Sequence, residues 1–157
     1  MKQVTFFNLN NFIEKVSAIG SIYIYLLIVL FLYSLSITQI ANILLLALII
    51  LYIMSVPIRA IFFRERPIPD KYSNYIEKLK AGSFPSLHSA RATIMFLTFS
   101  FMFIYEIYTI LLLTIVYILI LISRIRKKRH YISDVTGGVI IGLIAFLIAE
   151  VLVDLIV

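Results

Sequence analysis

The stretch SRIRKKRHYISD, Ser123 to Asp134, lies between two long apolar segments and brings five cationic residues, a histidine and an aspartate into twelve positions. As a loop between membrane spans, such a stretch would orient the chain through its positive charge. As the entry to a helix it would hold chemistry. His130 and Asp134 stand four residues apart and would share one face of a helix that began just before them. Both readings require the flanking segments to be spans, so the fold turns on what lies to either side.

Those flanks are membrane-like. The chain has 157 residues, 62% of them hydrophobic, with a mean hydropathy of +1.07, which excludes an ordinary soluble domain. A helix needs about 20 predominantly apolar residues to cross the hydrocarbon core. Runs of that kind are expected at about Ile19 to Ile37, Ala41 to Ile58, Phe84 to Tyr105, Glu106 to Ser123, and Ser133 to the C-terminus. The fold class expected is therefore all-α, a multi-pass transmembrane bundle of about five spans forming a single domain over residues 1–157. A short amphipathic helix over residues 4–15, carrying Val4, Phe7, Leu9, Phe12 and Ile13, is expected at the interface. The chain has no cysteine, which excludes disulfides and thiolate metal ligands. No removable signal peptide is read at the N-terminus.

The largest polar segment is Arg59 to Ser83, which contains Pro67 and Pro69. Within it Tyr72, Tyr75, Ile76 and Leu79 recur at helical spacing, so a short interfacial helix is expected, with Lys71, Lys78 and Lys80 toward the headgroups. With five spans, the N-terminus and both polar loops share one side and collect the Lys and Arg residues, while Glu106, Glu150 and Asp154 lie opposite. The net charge of +6 is thus read as a membrane-surface feature, and no nucleic-acid partner is expected.

Three clusters fall at span mouths on that side: R-x6-R-P at Arg59 to Pro67, P-S-L-H at Pro85 to His88, and S-R-x5-H-x3-D at Ser123 to Asp134. In the third, Asp134 is expected to accept the Nδ1 proton of His130, leaving Nε2 as a nucleophile or base. Taken by itself, the pair reads as well as a helix-terminal acid with a histidine nearby. The chain's two histidines, however, both stand at span entries on one side, where ionisable groups are functional candidates. Pro85 is expected at a first helical position, where free N–H groups and the Ser86 hydroxyl would make an anion site or would merely cap the span. Arg59, Arg66 and Arg124 offer guanidinium forks suited to phosphate oxygens. Arg64, Arg126, Lys127, Lys128 and Arg129 are read as facing solvent and headgroups.

Taken together, the clusters resemble the signature of the type 2 phosphatidic acid phosphatase (PAP2) superfamily, membrane lipid phosphatases related in their site to vanadium haloperoxidases. That signature is K-x6-R-P, P-S-G-H and S-R-x5-H-x3-D, and the resemblance spans about residues 50 to 150. The chain departs from the pattern in two places: Arg59 stands where lysine is usual, and Leu87 where glycine is usual. It is also one span shorter than the six of many relatives.

The resemblance implies a mechanism in which His130 attacks phosphorus, Asp134 orients it, and His88 protonates the leaving oxygen. Arg59, Arg66, Arg124, Ser86 and the Leu87 amide would hold the phosphoryl oxygens, without metal or other cofactor. A site at the membrane interface suits a lipid phosphate substrate, with bilayer lipids around it. The resemblance favours a polyprenyl diphosphate first, then phosphatidic acid or phosphatidylglycerophosphate. A lipid phosphotransferase and a non-catalytic lipid-binding membrane protein are the rival readings, and no protein partner is assigned. The family favours a site facing the exterior of the cell membrane, whereas the positive charge on the site's side favours the cytoplasm.

Overall fold

The computed structural model describes residue 12 and residues 15–156. The amphipathic stretch expected over residues 4–15 lies almost wholly outside the described residues. After a 3-10 turn at Ala18–Gly20 come α1 (Ile22–Ser34), α2 (Thr38–Ile61), α3 (Tyr75–Ala81), α4 (Leu87–Met102), α5 (Ile107–Arg126) and α6 (Ile132–Ile156). Among the described residues three helices are long and apolar enough to cross a membrane, within Thr38–Ile61, Ile107–Arg126 and Ile132–Leu155. The expected five apolar helices are present in order, but α1 and α4 are shorter, at 13 and 16 residues. At 1.5 Å per residue they reach about 20 and 24 Å, against about 36 Å for α2.

Both short helices start late because a serine caps each one. The Ser21 hydroxyl accepts from the Ile24 N–H at 3.3 Å, and the Ser86 hydroxyl accepts from the Ser89 N–H at 3.4 Å. Such caps satisfy backbone donors that the first helical turn leaves unpaired. The α4 cap revises the sequence expectation. Pro85 precedes the helix rather than opening it, and Ser86 is the capping residue.

Helices α2, α4 and α6 form the centre, around Leu44, Leu51, Ala90, Ile94, Ala145 and Phe146. Gly138 and Gly142 let α6 lie directly against α4. A Cβ at Gly138 would stand 2.4 Å from the Ser86 carbonyl oxygen, and one at Gly142 would stand 2.6 Å from that of Ala90. Small residues four apart bring helix backbones together in the same way in membrane bundles generally. The outward surface is apolar, with Leu27, Leu30, Phe31, Ile53, Leu112, Ile115 and Val151 exposed, as a lipid-facing surface requires.

Chain direction alternates, so α1, α4 and α6 begin, and α2 and α5 end, at one pole of the bundle. The polar segments meet there. The α2–α4 connection is tied down by Ser83 N–H to Arg64 O at 2.7 Å, and the Ile68 N–H reaches Lys128 O in the α5–α6 loop at 3.3 Å. The expected interfacial helix is α3, whose Tyr75 and Ile76 are exposed. It is capped by Asn74, which accepts from the Glu77 N–H, and hydrogen bonds from Ser73 hold the Glu77 carboxyl below its usual range.

Candidate active site

At this pole a cavity of about 830 Å³ opens between the helix ends. Seven cations line it: Arg59 of α2, Arg91 of α4, Arg124 of α5, and Arg66, Lys80, Lys127 and Arg129 from the segments between. Both histidines, Tyr52 and Leu87 also line it, and among the described residues no carboxylate does. Such a concentration of positive charge is an anion site by Coulombic argument alone. Among the described residues no group of three or more His, Asp or Glu converges as metal ligands would.

The three arginines expected from the sequence meet here and are held by their ends. Arg59 donates from Nη1 to Leu79 O at 3.1 Å and from Nη2 to Pro85 O at 2.7 Å. Arg66 pairs with Asp70 and donates to Lys80 O at 2.9 Å. Arg124 donates to the Ser17 hydroxyl at 3.3 Å. The Nε of each is buried without a hydrogen-bond partner among the described residues. A buried charged donor left unpaired is costly, and an entering oxyanion would remove that cost. Burial lowers the pKa of Arg66, with the Asp70 carboxylate opposing.

His130 is buried in the turn two residues before α6, not on the helix. Its Nδ1 lies 2.9 Å from the Ser83 carbonyl oxygen and 3.9 Å from Asp134 Oδ2. The expected Asp134 acceptor is therefore replaced by a backbone carbonyl. A carbonyl can only accept, so Nδ1 carries the proton and Nε2 keeps its lone pair. Asp134 is engaged elsewhere. Standing in the first turn of α6, its Oδ2 takes the Tyr131 N–H at 2.8 Å and the Ser83 hydroxyl at 2.5 Å, and its Oδ1 takes Arg64 Nη1 at 2.9 Å. Free N–H groups at a helix start draw a carboxylate in this way. Burial pushes the His130 pKa down to about 3, with Arg124 and Arg66 adding to the effect and Asp134 opposing it.

His88 occupies the second position of α4. Its Nδ1 lies 3.3 Å from Arg91 Nη2. A guanidinium can only donate, so this nitrogen holds the lone pair and Nε2 holds the proton. The two histidines of one cavity are thus fixed in opposite tautomers.

Ser86 does not line the cavity. It is fully buried, its N–H goes to Asp134 O at 2.9 Å, and its hydroxyl accepts from Ser89 Oγ at 2.9 Å. Its contribution is to fix the turn that presents Leu87 and His88. Arg64, read from the sequence as a headgroup-facing cation, instead binds Asp134 and Ser133 and lies over the Tyr131 ring, 4.0 Å from its centroid. Arg91 was missed altogether. Its only signal was a cation three residues after His88, inside an otherwise apolar span.

A helical membrane bundle with two histidines lining a cationic cavity has the makings of a membrane protein that handles anionic headgroups. Residues 40–154 match the PAP2 superfamily, and the chain belongs to that family. Its fold is similar to that of LpxE from Aquifex aeolicus, with a TM-score of 0.72 and 24% identity over 90% of this chain and 84% of that one. No curated protein matches the chain. In class, the chain is a membrane lipid phosphatase.

Proposed function

We propose that the protein, acting as one unit over residues 1–157, hydrolyses a polyprenyl diphosphate through a phosphohistidine on His130. The observation carrying this reading is the pairing of opposite histidine tautomers within a cavity lined by seven cations. His130 Nε2 attacks phosphorus, and His88 Nε2–H serves the leaving oxygen. Arg59, Arg66, Arg124 and the Leu87 N–H stabilise the charge that develops on the phosphoryl oxygens, and Ser86 holds the turn that supplies that N–H. Asp134 acts by bracing the loop that carries His130.

A monophosphate would need only the three motif arginines. Lys80, Lys127 and Arg129, the last also paired with Asp70 at 2.7 Å, line the same cavity and add charge suited to a second phosphate, which favours a diphosphate. Because fixed cations neutralise the phosphoryl charge, the reaction is proposed to run without a metal ion. The site is proposed to face the cell exterior. A reporter fused at the C-terminus, at the opposite pole, tests this and should read as cytoplasmic.

The decisive assay is phosphate release by purified protein in detergent with a chelator present. Polyprenyl diphosphate, phosphatidic acid and phosphatidylglycerophosphate are compared, and release from the diphosphate is expected to be fastest. A faster monophosphate would replace the substrate assignment, and loss of activity in chelator would end the metal-free mechanism. Transfer to an added alcohol in place of water would make the protein a phosphotransferase. Absence of release from all three would favour lipid binding without catalysis.

A further inference from the structure

Arg91 belongs to none of the three sequence clusters, yet it is the cation in contact with a cavity histidine. It stands three residues beyond His88 on α4 and is buried, and its guanidinium is tied at three points. Nε donates to Gly20 O at 3.1 Å, Nη1 to the Tyr52 hydroxyl at 3.3 Å, and Nη2 contacts His88 Nδ1 at 3.3 Å. The partners belong to the 3-10 turn, α2 and α4, so the guanidinium cannot swing from His88 without breaking the other two bonds.

An arginine does not deprotonate in a protein and has no lone pair to offer. While the contact stands, His88 cannot take a second proton on Nδ1, because the imidazolium would set one N–H against another. Among the described residues nothing else in the cavity relieves this. The charged groups that line the cavity with His88 and Arg91 are the cations Arg59 of α2, Arg124 and Lys127 at the end of α5, and Arg66, Lys80 and Arg129 of the loops. Tyr52 is engaged by Arg91, and His130 is the other histidine.

We propose that Arg91 is a positioning residue that holds His88 as a neutral Nε2–H acid and balances the charge on its ring when that proton leaves. The kinetic consequences rest on the phosphatase reading. On a lipid monophosphate, as His130 Nε2 bonds to phosphorus and the P–O bond to the lipid alkoxide breaks, the leaving oxygen takes the His88 Nε2 proton; on a diphosphate the leaving oxygen belongs to the lipid phosphate and depends on that proton less. The resulting imidazolate keeps its Nδ1 lone pair against the Arg91 guanidinium. When water enters, a proton returns to His88 Nε2, the water oxygen bonds to phosphorus, and the P–N bond to His130 breaks. Both rings regain their starting tautomers and phosphate departs. The imidazolate left behind has a proton affinity near that of an alkoxide, the leaving group of a phosphate monoester, so the neutral imidazole can serve it, and this acid is not titrated away near neutrality as an imidazolium is.

The test pairs the parent with Arg91→Gln and Arg91→Lys. Ring nitrogen NMR of the substrate-free parent in detergent is expected to give His88 as the Nε2–H tautomer throughout about pH 6 to 9, the window in which an ordinary histidine titrates. In Arg91→Gln, His88 should take up a proton in that window while His130 does not change. Phosphatidic acid hydrolysis by the parent should hold level between about pH 7 and 9. Arg91→Gln should lose about tenfold in kcat or more over that span, with KM little changed, and Arg91→Lys should fall between. 4-Nitrophenyl phosphate, whose leaving group needs no proton, should lose markedly less in Arg91→Gln than phosphatidic acid does.

Two results would overturn the proposal: a parent His88 that titrates near neutrality, or an Arg91→Gln enzyme that loses both substrates equally, as a merely structural arginine would dictate. If Arg91→Gln does not fold, Tyr52→Phe loosens one anchor and should move the pH profile the same way. A parent inactive on every phosphate ester would end the phosphatase reading, and the NMR result would still decide whether Arg91 governs His88.

Discussion

The two histidines share a cavity but are held in contrasting ways. His130 sits in a loop between helices, and its Nδ1 meets a backbone carbonyl that can only accept. His88 sits inside the first turn of a helix, and its Nδ1 meets a guanidinium that can only donate. The same side chain is thereby given a free lone pair in one place and a free N–H in the other. The donor or acceptor character of one neighbour, more than distance to an acid, sets each role.

The contrast breaks most readily at His130. His130→Ala removes the atom proposed to bond to phosphorus, so kcat should fall by on the order of 10⁴-fold or more, with no phosphoenzyme trapped on acid quench. Retention of parental turnover would reject the nucleophile assignment. Asp134→Asn should cost less, about 10²-fold in kcat with KM nearly unchanged, because the carboxylate acts by bracing the loop and a displacement of about 1 Å costs that much. The substituted amide can no longer accept from Tyr131 N–H, the Ser83 hydroxyl and Arg64 together. Arg64→Gln should lower kcat in the same direction but more weakly, since Arg64 is one of three ties and is partly exposed.

His130 also makes the contrast visible without turnover. With its pKa pushed down to about 3, it stays neutral as pH falls through the ordinary histidine value near 6.5, so its lone pair survives into acid. Its ring signals in the substrate-free protein should not change between about pH 7 and 5, a range over which an ordinary histidine becomes almost fully charged. The sign for stability follows. Below about 6.5 the unfolded chain binds a proton that the folded one refuses, so this residue makes the fold less stable as pH falls from there toward 3. A midpoint near 6.5 for His130 would mean that the loop is open to water and not closed over the ring.

Much of this architecture was legible in the residues, and the parts that were not share a cause. Apolar runs and their charged breaks located the helices, because length and hydropathy are local properties. The spacings of Arg59, Arg66, His88, Arg124 and His130 located the cavity, because each stands at a span mouth on one side. Local patterns could not reveal where a side chain finds its partner across the fold. Asp134 is four residues from His130 and was read as its acceptor, yet α6 begins at Ile132, so the two never share a helix face. Ser83, from 47 positions away, supplies the carbonyl instead. Arg64 was grouped with the surface cations for the same reason, since its tie to Asp134 spans 70 positions. The Gly138 and Gly142 pair was readable as a small-residue seam but gave no indication of which helix it would meet.

The smallest effect discriminates between the two ways of orienting His130. Ser83 offers His130 its backbone carbonyl at 2.9 Å and offers Asp134 its hydroxyl at 2.5 Å. Ser83→Ala deletes only the hydroxyl and leaves the carbonyl in place. If the carbonyl holds the tautomer, kcat should fall by only a few fold, the worth of one hydrogen bond of about 1 kcal/mol, and the His130 ring should remain the Nδ1–H form. If Asp134 were the true partner, working through the hydroxyl that stands 3.5 Å from Nδ1, the same change would cut the link between carboxylate and ring. The loss would then approach that of Asp134→Asn, and the ring signals would shift. The ratio of these two variants therefore measures how far a backbone carbonyl, in place of a carboxylate, sets the state of the nucleophile.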